Sequence, residues 1–123
     1  MKRFLLLLLC ATMLASMSFA AEPPPATKLE IEHLFSYLQS SGCQFYRNGT
    51  WYDSREAVSH LNRKYLYLLD KGLVLSSEAF IERAASVSSM SGQAYRVRCG
   101  SNPAMNSADW FGAELERYRK GRH

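Results

Sequence analysis

The 123-residue sequence holds no His-Glu-x-x-His, no Gly-x-Ser-x-Gly, no Ser-x-x-Lys and no glycine-rich phosphate loop. Those absences remove, in turn, the zinc peptidase site, the serine-hydrolase elbow, the serine–lysine nucleophile and the nucleotide cradle. Cysteine is scarce: there are three, and none forms the Cys-x-x-Cys pair that tunes a redox dithiol. Histidine is equally sparse, with His33, His60 and His123 at no metal-binding spacing, so neither a metal nor a cofactor is expected. Charge of one sign is lacking too. The formal charge of +4 falls to +2 without Lys2 and Arg3, and the basic residues mostly alternate with acids, which argues against a nucleic-acid partner.

Long apolar runs are confined to the start. Lys2 and Arg3, the apolar Phe4 to Leu14 and the small residues of Ser18-Phe19-Ala20 read as a signal peptide, residues 1–20, cleaved after Ala20. An uncleaved anchor is the weaker alternative, because Thr12, Ser16 and Ser18 interrupt a stretch near the lower length limit for spanning a bilayer. Cys10 lacks a small residue just before it and is discarded with the leader. No other stretch is apolar enough to span, so no stable membrane insertion is expected after cleavage. The remaining roughly 100 residues suit one domain. Cys43 and Cys99 are then an even pair in an exported chain, and a disulfide between them is expected.

Pro23-Pro24-Pro25 makes residues 21–26 an extended tether, and the folded domain runs over residues 27–123. A capping box, Thr27-x-x-Glu30, predicts the first helix, with Ile31, Leu34, Phe35 and Leu38 buried and His33 on the solvated side. Cys43 to Arg47 and Thr50 to Tyr52 read as a hairpin turning at Asn48-Gly49. Asp53-Ser54-Arg55-Glu56 caps a second helix that buries Ala57, Val58, Leu61, Tyr65, Leu68 and Leu69 and stops at Gly72. Ser76 and Ser77 cap a third helix through about Val87, Ser86 to Gly92 is a loop, and Tyr95 to Cys99 alternates as a half-buried strand. A last helix starts near Ser107 and presents Trp110, Phe111, Leu115 and Tyr118. The expected class is α+β: a three-stranded antiparallel sheet with four helices, in the order α-β-β-α-α-β-α, with one disulfide.

Glu30, Asp53, Glu56, Glu78 and Asp109 all fall in caps or first helical turns, where the helix dipole accounts for them without acid–base catalysis. One polar constellation remains. His60, Lys64 and Tyr67 line one flank of the second helix, beside Arg47, Asn48 and Tyr52 of the hairpin, as a cationic and aromatic surface for an anionic or sugar-like ligand. A secondary candidate is Ser88, Ser89 and Ser91 with Tyr95. No residue is assigned a catalytic role.

The runs Arg47-Asn48-Gly49, His60-Leu61 with Lys64-Tyr65, Phe80-Ile81-Glu82, Ala85 to Gly92, Tyr95 to Cys99 and Trp110 to Arg119 resemble the YfeK-like family of small exported bacterial proteins of unknown function. The resemblance spans about Leu29 to Arg119 and implies export to the periplasm. It supplies no activity, cofactor or catalytic residue. The expected function is a periplasmic, non-catalytic module that binds an envelope protein or a small ligand. The alternative is a small envelope hydrolase using His60 and the Ser88–Ser91 loop.

Overall fold

A computed structural model describes residues 21–122. The expected signal peptide, residues 1–20 with Cys10, lies outside the described residues. Four helices, α1 (Pro25–Ser40), α2 (Ser54–Asp70), α3 (Ser77–Ala84) and α4 (Ser107–Lys120), pack with strands β1 (Gln44–Arg47), β2 (Thr50–Tyr52), β3 (Arg96–Arg98) and β4 (Met105–Asn106). The sheet is antiparallel throughout, in the order β2-β1-β3-β4. No helix among the described residues is long and apolar enough to cross a membrane.

The α+β class and the four helices are as expected, but the sheet has four strands where three are predicted. β4 escapes a pattern search because it is two residues long, with both side chains exposed. It exists because Val97 and Arg96 of β3 offer it a ladder, pairing with Met105 and Asn106. α1 also departs from expectation. It starts at Pro25, two residues before Thr27, and so takes in the end of the proposed tether. Proline suits that first position, since its φ is already helical and its missing N–H needs no partner there. Thr27 and Glu30 are buried instead of closing a capping box. α3 ends at Ala84, short of Val87, because the chain folds back and Val87 bridges Ala94.

Several local signals act as read. Asn48 and Gly49 both take positive φ, 49° and 88°, as a type I′ hairpin requires. The Asp53 carboxylate accepts from the Glu56 N–H at 2.8 Å, and the Ser76 hydroxyl accepts from the Ala79 N–H at 3.0 Å, so both caps are made. Gly72 closes α2 with φ 66°, while the N–H groups of Gly72 and Leu73 bond back to Leu69 and Leu68. This is the Schellman arrangement, which satisfies carbonyls the helix leaves open.

The core forms where α1 (Ile31, Leu34, Leu38), α2 (Leu61), α3 (Phe80) and α4 (Phe111, Leu115) meet one face of the sheet (Phe45, Val97). Each such fully buried side chain contributes about 1.5–3 kcal/mol. The β1–β3 register pairs Gln44 with Arg98, so the next position sets Cys43 against Cys99, and the two form the expected disulfide. His33 is not solvated as predicted. Its ring stacks on Tyr118 of α4 at 4.2 Å, with Nε2 3.7 Å from the Glu114 carboxylate.

Candidate functional site

Tyr95 joins the parts of the site. It precedes β3 at a position that alternation directs into the core, and only 1% of its surface is exposed. Its hydroxyl reaches the flank of α2. There the Lys64 ammonium donates to the Tyr95 oxygen at 3.1 Å, and His60 Nε2 lies 3.1 Å from the same oxygen. Lysine can only donate, so the Tyr95 oxygen accepts from Lys64, and Tyr95 donates to His60 Nε2 when the ring proton of neutral His60 is on Nδ1. Lys64 also donates to the Val87 carbonyl at 3.1 Å and lies 4.8 Å from the centre of the Tyr95 ring. The sequence spacing that places His60 and Lys64 on one flank thus puts both on a single buried hydroxyl.

Positive charge crowds this point. Burial, followed by the charges of Arg47, Lys64 and Arg63, depresses the pKa of His60 from 6.5 to about 4. Burial, followed by Arg47, also lowers that of Lys64. Tyr95 is raised by burial, against the opposing pull of Arg47. The Arg47 Nε atom is buried without a hydrogen-bond partner.

Two adjoining hollows open on either side of His60 and Arg63. The first, of about 160 Å³, is lined by Phe45, Arg47, Tyr52, Glu56, Ala57, Ser59, His60 and Arg63. The second, of about 270 Å³, is lined by His60, Arg63, Lys64, Tyr67, Leu68, Arg83 and Ser89. Of the six candidates on the hairpin and α2, Arg47, Tyr52, His60, Lys64 and Tyr67 line one hollow or the other. Asn48 does not. Its side-chain amide donates to Ser88 Oγ at 3.0 Å and accepts from Ser91 Oγ at 2.6 Å, latching the hairpin tip to the serine loop.

The serine loop divides in the same way. Ser88 is buried and accepts from the N–H groups of Met90 and Ser91 at 3.2 and 3.4 Å, which closes a turn. Ser91 holds Asn48 and accepts from the Gln93 N–H. Neither hydroxyl bonds to His60, whose Nε2 is engaged with Tyr95, so the pairing a serine hydrolase requires is not formed there. Ser89 lines the second hollow. Among the described residues, no three His, Cys, Asp or Glu side chains converge where a metal could sit.

Arg63, Arg83, Glu56 and Ser59 also line the hollows and are not among the candidates from the sequence, where Glu56 reads only as part of a helix cap. Arg63 was legible, since it stands three residues after His60 on the same flank. Arg83 was not, because only the packing of α3 against α2 brings it there.

No curated protein and no solved structure matches the chain. Residues 25–119 match a family of unknown function, a span that takes in the whole sheet and all four helices except the last residue of α4. The chain belongs to that family, DUF5329.

Proposed function

We propose that this chain is an exported domain that binds an anionic ligand at the paired hollows around His60, and that it does so without catalysing a reaction. One observation carries the reading. Arg47, Arg63, Lys64 and Arg83 form no ion pair among the described residues, whereas Arg117, Arg119 and Arg122 at the other end of the chain each hold a carboxylate. Unneutralised cations brought together around a partly buried histidine oppose folding, and a bound anion relieves that repulsion.

Amide NMR shifts under titration with inorganic phosphate test the reading. They should map to residues around His60. Replacing both Arg63 and Arg83 with Ala should weaken binding by about tenfold or more, for the loss of two charge-assisted hydrogen bonds. Both side chains are exposed, so the melting temperature should hold nearly constant or rise slightly as the repulsion is relieved. Arg47→Ala with Lys64→Ala should weaken it likewise. Shifts that map elsewhere, or unchanged affinity in both double variants, would show that the cluster is only a hydrated flank.

Export rests on the charged, apolar and small-residue segments of residues 1–20 and on the resemblance to YfeK-like exported proteins. Intact-mass measurement on protein from the periplasmic fraction should give Ala21 as the first residue. Full-length chain recovered from the membrane fraction would favour the anchor.

A further inference from the structure

The two hollows differ in what they can accept, and the difference narrows the ligand. The second hollow has Arg63, Lys64 and Arg83 and no carboxylate, against an apolar wall of Tyr67 and Leu68. It is the place for an oxyanion. In the first hollow Glu56 faces the same space as Arg47, with Tyr52 on the wall and Ser59 at the side. Glu56 repels a second oxyanion there, and Arg47 and Arg63 repel an ammonium group. A purely apolar group would cover the half-buried Arg47, whose Nε–H is already buried without a partner, and give it no hydrogen bond in return. What fits is a neutral group that both donates and accepts hydrogen bonds and has a C–H face to lay on an aromatic ring.

We propose that the ligand is an acidic sugar: a hydroxylated ring bearing a carboxylate or phosphate, with its oxyanion between Lys64 and Arg83 and its ring between Tyr52 and Glu56. The inference rests on the anion-binding reading and adds the second subsite to it. Glu56 accepts from ring hydroxyls, Arg47 and Ser59 hydrogen-bond to ring oxygens, and Tyr52 stacks on the ring's C–H face. His60 and Arg63, which line both hollows, stand where the ring meets its acidic substituent.

The experiment compares the affinities of glucose 6-phosphate and glucuronate with those of inorganic phosphate, acetate, glucose and N-acetylglycine. Each sugar acid should bind about tenfold or more tighter than its bare anion, from the added hydroxyl bonds to a carboxylate. Glucose alone should give no measurable binding. The stronger of the two sugar acids identifies the oxyanion the second hollow is built for. Glu56→Gln and Tyr52→Leu should bring the affinity of each sugar acid down to that of its bare anion measured on the same variant, a ratio that general destabilisation would not alter. Sugar acids that bind no tighter than phosphate or acetate overturn this inference and leave the anion site standing. N-acetylglycine binding as tightly as glucuronate overturns the sugar in favour of an amide. If neither phosphate nor the sugar acids bind, the anion site falls, and the acidic-sugar assignment falls with it.

Discussion

Replacing both Cys43 and Cys99 with Ala should lower the free energy of unfolding by about 4 kcal/mol, and within 2–5 kcal/mol. The 56-residue separation sets the estimate, because the cross-link removes loop-closure entropy from the unfolded chain. The net stability of a domain this size is about 5–15 kcal/mol, so the loss is a large share of the whole. The melting temperature should fall by about 15–30 °C. Where the bridge lies adds to the effect. It continues the β1–β3 ladder, and that pairing seats Phe45 and Val97 in the core just beyond Tyr95. Chemical denaturation with and without reductant, beside the double variant, is the measurement. The reduced native chain and the double variant should agree closely. Free thiols at both positions in non-reducing peptide maps, or a stability change below about 1 kcal/mol, would mean the bridge is not what holds the sheet.

The second large effect should come from Glu30. Its carboxylate is 5% exposed and accepts from Arg119 at 2.8 and 3.1 Å, from Arg122 at 2.5 Å and from Ser77 at 2.7 Å. Arg119 also pairs with Glu78 of α3, so α1, α3 and α4 meet at one ionic junction. The Arg119 hydrogen bonds are the main cause that holds the Glu30 pKa at about 2, against an ordinary 4.5, and burial opposes them. A carboxylate with a depressed folded-state pKa stabilises the fold above its unfolded value and loses that contribution as pH falls. The contribution should therefore be complete above pH 4.5 and disappear as pH approaches 2. Its size is about 2–3 kcal/mol, given that both arginines remain partly solvated. Glu30→Gln should cost that amount at pH 7 and flatten the acid side of the stability curve. Urea unfolding of both proteins between pH 7 and pH 2 checks it, and coincident curves would show that the junction contributes nothing.

His60 has the opposite charge sign but the same pH direction. Its folded pKa of about 4 lies below the ordinary 6.5, so protonation opposes folding and stability falls as pH drops from 6.5 toward 4. A titration of the Glu30 junction should accordingly be read below pH 4, where His60 has finished contributing.

What could be read from the sequence alone was what is decided within a few residues. Asp53 and Ser76 cap their helices because each needs only an N–H three positions ahead. Asn48-Gly49 turns the hairpin because those two residues tolerate positive φ wherever they stand. The buried stripes of α1 and α2 follow from helical periodicity, and the disulfide was legible because Cys43 and Cys99 are the two cysteines left once Cys10 is assigned to the expected signal peptide. The long-range partners could not be read that way. Glu30 looked like half of a capping box, and only the approach of α4 and the residues just after it, 89 and 92 positions onward, makes it an ionic junction instead. Asn48 looked like a displayed side chain until the serine loop, 40 residues away, folded onto it. His60 and Lys64 could be set on one flank, but the hydroxyl that joins them comes from Tyr95, and Arg83 arrives on another helix. The physical reason is the same in each case. A cap or turn is settled by backbone geometry that the residue carries with it, whereas the partner of a charged side chain is whichever group packing brings within about 3 Å. Helical spacing set Lys64 beside His60 on the α2 flank, and tertiary structure alone brought Arg83 to it and left these cations without ion pairs.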